Sequence, residues 1–166
     1  MKVDSRKLEE SDYADMRALL SKEGPNEWNY ITDQSIDNQF SLIEKGKAVA
    51  VLAEENEIVG FSVLIFRESC PKKLKKYVAL SQIAYINDVV VSQAQGGKGL
   101  GCRLLLEAVS LAGEEGCNQV YIERHEENAA SAGMMQKAGF DEVETFYDPD
   151  KRSSGSRNTT VLCKST

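Results

Sequence analysis

The sequence predicts one mixed α/β domain over residues 1–166, with a mixed sheet of six or seven strands flanked by about four helices. Three observations carry this. Residues 47–67 form an almost unbroken apolar run split by a short polar turn, the pattern of a hairpin covered on both faces. Residues 81–123 read as strand, glycine-rich turn, helix and strand, a right-handed crossover unit with parallel partners. The intervening stretches place apolar residues at helical spacing. A chain of 166 residues buries one substantial core and is too short for two ordinary domains.

Taken in order, residues 2–8 suggest a first strand. Asp12 is the candidate cap of a helix whose apolar side is Tyr13, Met16, Leu19 and Leu20, ended by Gly24 and Pro25. A link follows, with Glu27, Trp28 and Tyr30, whose aromatics either anchor it to the core or line a substrate pocket. Thr32 or Asp33 caps a second helix to about Lys45, with Ile36, Phe40 and Ile43 on one side, and Gly46 closes it. The strands 47–54 and 57–67 turn at Glu55 and Asn56. Residues 70–76 form a lysine-rich link, read either as a solvated turn or as a patch for anions.

The next strand, about 81–91, leads into Gly96, Gly97, Gly99 and Gly101. A helix over about 98–115 carries Leu100, Leu104, Ala108 and Ala112 as one stripe, with Gly116 as its stop. A strand over 118–123 follows. Asn128 caps a helix bearing Ala132, Met134, Met135 and Ala138, which ends at Gly139 and Phe140 and gives way to a strand through about Tyr147. Residues 148–158 read as a mobile hairpin link before a last strand, 159–164.

Composition narrows the function. The formal net charge is -6, which argues against a general nucleic-acid surface. No apolar stretch is long enough to span a bilayer, and no apolar segment follows Met1 to Lys7, so neither a membrane partner nor a secretory signal is expected. Cys70, Cys102, Cys117 and Cys163 form no close pair and read as free thiols in a reducing, cytoplasmic setting. With one histidine, His125, a Cys/His metal site is not expected; His125 itself reads as a surface residue after its strand.

The chemistry converges on residues 86–101. Where a glycine-rich turn opens a helix, bare backbone N–H groups and the helix dipole converge on one point and form a seat for a pyrophosphate. A dinucleotide fingerprint normally follows the first strand of its domain; here the glycines come past the midpoint. A phosphate-binding loop ending in Lys and Ser or Thr is absent, because Lys98 is followed by Gly99.

The stretch from Val89 to Gly101, together with the run from Asn128 to Gly139 and Phe140 at the end of a helix, resembles the two signatures of the GNAT superfamily, the acyl-CoA-dependent N-acyltransferases. The resemblance implies a GNAT-like fold and acetyl-CoA (CoA) as cofactor. It implies that pantetheine lies along the backbone of Val89, Val90 and Val91, between that strand and the one near 119–123. The pyrophosphate would rest on the turn of Gly96, Gly97, Lys98, Gly99, Leu100 and Gly101, with Asn128 and Met135 beside the pantetheine arm. Acetyl would pass directly to an amine, without a covalent enzyme intermediate.

Such a transfer asks for a base to deprotonate the amine and a donor to the developing oxyanion, the latter a strand N–H near Val89 or Val90. Three positions depart from the resemblance. Gly96 replaces an Arg or Gln. Asn87 stands where relatives often place a base glutamate, which moves that role to Asp88; yet adjacent strand residues face opposite ways, so Asp88 is no plain substitute, and Glu27 or Glu126 remain alternatives. Met135 stands where a proton-donating tyrosine is usual, leaving Tyr85 or Tyr147 as weak replacements. Carboxylates at Glu27, Asp88 and Glu126, with Trp28 and Tyr30, suggest a small, cationic amine acceptor. The alternatives are a peptide or protein acceptor, which would need an open groove between links 24–31 and 148–158, and a catalytically weak CoA-binding module. Dimers are common among such proteins, so a homodimer is allowed.

Overall fold

A computed structural model describes all 166 residues. Seven strands form one sheet in the order β1-β2-β3-β4-β5-β7-β6. The strands are β1 (Lys2–Ser5), β2 (Ala48–Glu55), β3 (Glu57–Phe66), β4 (Ile83–Val91), β5 (Gln119–His125), β6 (Asp141–Tyr147) and β7 (Asn158–Ser165). Four helices cover it: α1 (Glu10–Glu23), α2 (Asp33–Glu44), α3 (Leu100–Glu114) and α4 (Ala129–Lys137). Only β4 and β5 pair in parallel, as the crossover through α3 requires.

Two cores lie on opposite faces. Leu100, Leu104, Leu105 and Ala108 of α3 pack with Met135 of α4 and Ala138 at its end against one face. Met16 and Leu20 of α1 and Ile36 and Phe40 of α2 pack on the other. The central strands β2 and β3 are therefore buried on both sides, which explains their unbroken apolar sequence. Asn56 turns the hairpin in the left-handed region, φ 67.

Several expectations change at element ends. The cap of α1 is Glu9 and not Asp12; Asp12 is the third helical residue, and its carboxylate accepts the Glu9 N–H at 2.7 Å. Asp12 is also engaged by Arg6, whose guanidinium bridges both Asp12 oxygens (2.7 and 2.9 Å) and both Glu54 oxygens (2.7 and 3.2 Å), clamping β1, α1 and β2. The first strand accordingly stops at Ser5. Thr32 rather than Asp33 caps α2, in a reciprocal exchange with Ser35. The lysine-rich link is no plain solvated turn: it folds into short 3-10 turns that bury Cys70 and Leu74, and burial pushes the Cys70 thiol up to about 12. All four cysteines are free. No helix is long and apolar enough to cross a membrane.

The Arg6 hydrogen bonds hold the Asp12 carboxyl below the usual carboxylate range. A group depressed on folding stabilises above its unfolded pKa, near 4, and loses that contribution as pH falls through its folded value. Arg6→Ala is therefore expected to cost about 1–2 kcal/mol at pH 7 in urea unfolding. The gap from the parent should narrow progressively below about pH 4.

Candidate active site

The site arises where β4 and β5 stop pairing. Their ladder runs from Ile83↔Gln119 to Ile86↔Ile122 and ends there. Beyond it the two strands part, leaving the β4 edge at Asn87 to Val90 open to a cleft of about 520 Å³. On the other edge β4 remains bonded to β3, with a bulge: Leu64 faces Ile86 and Ser62 faces Val89, so Val63 alone stands opposite both Asn87 and Asp88.

The bulge resets the side-chain alternation. Ala84, Ile86, Val89 and Val91 contact the α3 core, whereas Ile83, Tyr85 and Val90 contact the α1/α2 core. The expectation that Asn87 and Asp88 must face opposite ways is thereby overturned. Both line the first cleft and also a second one of about 620 Å³. The two clefts share Asn29, Ile31, Asn87, Asp88 and Glu123, so they meet at these residues.

The first cleft continues along Val89, Val90, Asn128, Met134 and Met135. Asn128 caps α4, its side chain accepting the Ser131 N–H at 3.1 Å, which fixes one wall. Past Val91 the chain enters the glycine turn. Gly97 and Gly99 have φ values of 78 and 71, conformations that only glycine adopts cheaply, and Gly99 caps α3. The Gly96 N–H is committed to the Gln93 carbonyl, whereas those of Gly97, Lys98 and Gly99 donate to no protein atom. The first turn of α3 adds further free donors. Gly101 lets α3 approach α4 closely, since a Cβ there would lie 2.5 Å from the Met134 sulfur. The Lys98 ammonium donates to Gln95 at 2.8 Å, and Glu23 of α1 accepts the Gln93 N–H, so the turn is supported from two sides. A run of unpaired N–H groups at a helix start fits a pyrophosphate.

The second cleft is lined by Tyr30, Ser35, Gln39, Tyr85, Lys151 and Arg152. Asp88 accepts the Gln39 amide at 2.6 Å. Burial pushes its carboxyl above the usual carboxylate range, against the Gln39 bond and the Lys151 charge. Glu123 goes the other way: burial opposes its ionisation, but Lys151 and Lys73, at 2.7 and 2.6 Å, outweigh it and hold the carboxyl low. Tyr85 is enclosed, and burial first, then the Glu123 and Asp88 charges, raise its hydroxyl well above the ordinary tyrosine value.

Other expected site residues fall elsewhere. Glu126 is exposed, bonded to Asn158, and lines neither cleft. Glu27 is exposed and takes part through its carbonyl, which accepts the Ser154 hydroxyl. Trp28 is half-buried against His125, ring centroids 4.8 Å apart, while Tyr30 is 82% exposed at the rim of the second cleft. His125 is not a surface residue: it is 1% exposed, its Nδ1 accepts the Glu127 N–H, and its Nε2 donates to the Ser154 carbonyl at 2.8 Å. Nor is 148–158 a loose link, because the Ser154 contacts and the buried Arg152 pin it. Glu123 and Arg152 were not among the site residues expected from the sequence; an acidic residue directly after the apolar Val120 to Ile122 run was the one available signal.

Comparison with known proteins follows the same lines. A model of the "Acetyltransferase (GNAT) family" matches residues 13–140. GCN5-related N-acetyltransferase 6, chloroplastic, of Arabidopsis thaliana is 34% identical over 65 residues, 39% of this chain and 23% of that protein. The uncharacterized N-acetyltransferase YhfO of Bacillus subtilis is 29% identical over 105 residues, 63% of this chain and 66% of its own length. Thus less than two thirds of either relative is matched. An acetyltransferase of Bacillus subtilis solved in complex with CoA superposes with a TM-score of 0.70 at 18% identity, covering 99% of this chain and 98% of that one, which shows a shared fold.

Two outcomes are expected. Gly99→Ala forces an alanine to φ 71, so it should cost about 1–2 kcal/mol in urea unfolding and weaken CoA uptake measured by calorimetry. For Asp88 the folded pKa lies above the unfolded one, so its charge destabilises the fold increasingly as pH rises through the folded value. Asp88→Asn should therefore raise the melting temperature relative to the parent at pH 8 and give little difference at pH 3.5.

Proposed function

Because the chain belongs to the acetyltransferase (GNAT) family, we propose that it moves an acetyl group directly from acetyl-CoA to the primary amine of a small acceptor. The observation that carries this reading is the meeting of two clefts at Asn87, Asp88 and Glu123, where the β4 edge is open. One cleft runs along Val89 and Val90, after which the chain enters the turn whose free N–H groups at Gly97, Lys98 and Gly99 suit the pyrophosphate of CoA. The other is free to receive an amine.

Bound acetyl-CoA would supply the reactive thioester. The β4 backbone at Val89 and Val90 would align its pantetheine arm, with N–H groups of the open edge available to a developing oxyanion. Asp88 would take the proton of the amine. Its raised affinity for protons suits that role better than Glu123, which two lysines keep ionised and occupied. Tyr85 holds its own proton firmly and would serve to shape the cleft more than to donate. Met135 packs beside the arm and supplies no proton.

The rim supports a small acceptor over an extended peptide. A peptide would need an open groove between links 24–31 and 148–158, and these are joined by the Ser154–Glu27 bond and through His125, which packs against Trp28 and bonds the Ser154 carbonyl.

Thiol release from acetyl-CoA in the presence of a panel of small amines tests the reading. Turnover with at least one amine is expected, and Asp88→Asn should lower kcat by about 100-fold or more while leaving CoA affinity unchanged. A variant with full turnover from pH 6 to 9 removes Asp88 from the mechanism.

A further inference from the structure

Arg152 is the group in the second cleft that the proposed transfer does not use. It is 4% exposed, yet its guanidinium has a single hydrogen bond, from Nε to the Thr159 hydroxyl at 2.8 Å. That hydroxyl in turn donates to Asp148 at 2.7 Å, which fixes the donor geometry without bringing a carboxylate onto the guanidinium. Both terminal nitrogens are left without a partner in a wall of the cleft. A buried cation costs much free energy unless something pairs with it, and burial here already lowers the proton affinity of the guanidinium.

The Glu123 charge, and behind it that of Asp148, favours the guanidinium through space, but neither carboxylate hydrogen-bonds it. Glu123 forms ion pairs with Lys73 and Lys151, both hydrogen-bonded at Oε2. Asp88 lies on the bulge and accepts Gln39 through one oxygen, Oδ2, leaving the other for a ligand. Two opposite charges, each with hydrogen-bonding atoms left free, therefore line one cleft: a carboxylate that suits an ammonium and a planar two-pronged donor that suits a carboxylate. We infer that the acceptor is a small amino acid, whose ammonium is received at Asp88 and whose carboxylate is clamped by Arg152. The carboxylates at Glu27, Asp88 and Glu126 suggested a cationic acceptor; with Arg152 in the cleft beside Asp88, a zwitterion fits better. This rests on the acyl-transfer reading only for the fate of the amine, because recognition of the carboxylate is a binding property.

Titration calorimetry on the CoA-loaded protein tests it with matched ligands: α-, β- and γ-amino acids, their carboxamides and their decarboxylated amines. At least one free acid should bind about 10- to 100-fold more tightly than its carboxamide. Arg152→Gln should bring that acid down to the level of its carboxamide without changing carboxamide or CoA affinity, and Arg152→Lys should restore part of the preference. Equal binding of acids and carboxamides to the parent protein overturns the inference, and this comparison needs no variant to fold. Equal weakening of both by Arg152→Gln also overturns it, as does tighter binding of aminoalkyl phosphonates than of every carboxylate. CoA uptake is read in the same instrument. Failure to take up CoA, with carboxylate-selective binding retained by the unloaded protein, would sink the acyl-transfer reading and leave this one standing.

Discussion

The end of the β4–β5 ladder at Ile86↔Ile122 is the constraint on which the rest depends. A parallel pair that continued would satisfy the β4 edge and leave no room between the strands. Because it stops, polar backbone at Asn87 to Val90 is exposed within the body of the protein, where such groups are tolerated only if something else bonds to them. The bulge opposite Val63 then turns two consecutive polar side chains toward the same opening. Strand parting and bulge act together: one makes the space and the other furnishes it.

Electrostatics sort the residues around that space into different duties. Two lysines from separate loops converge on Glu123, whose side chain is 1% exposed, so it behaves as a fixed ionised post. Asp88 has an amide for company and feels its burial. Two carboxylates on neighbouring strands thus have opposite proton affinities, the separation a proton-transfer site requires. Arg152 is hydrogen-bonded by a hydroxyl instead of an acid, with the Glu123 charge acting on it through space.

Much of this was legible in the sequence, for physical reasons that also mark where legibility stopped. The hairpin, the crossover unit and the glycine turn rest on local periodicity and on residues with special backbone freedom, so they emerge from short windows. The cap of α1 was misplaced by three residues because Asp12, an excellent cap by type, is drawn instead to Arg6 and to the Glu9 N–H. His125 was read as a surface residue because its partners, Trp28 and Ser154, lie 97 positions before it and 29 after it. The bulge had one faint sign, a polar pair inside an otherwise apolar strand. Arg152 had none: a run containing Asp, Pro, Ser and Gly has the composition of a loose loop, and only distant contacts fix it.

The pinned segment between β6 and β7 has a consequence for how this scaffold can change. Its anchors are Thr159, His125, Glu27, Glu127 and Glu123, none of which touches the glycine turn. The glycine turn and the rim of the second cleft are thus held by separate sets of contacts. Because Lys151 in this stretch pairs with Glu123 and acts on Asp88, exchanging residues 148–158 for a segment of different length or charge would alter the rim and the proton affinities beneath it together, while leaving the glycine turn as it is.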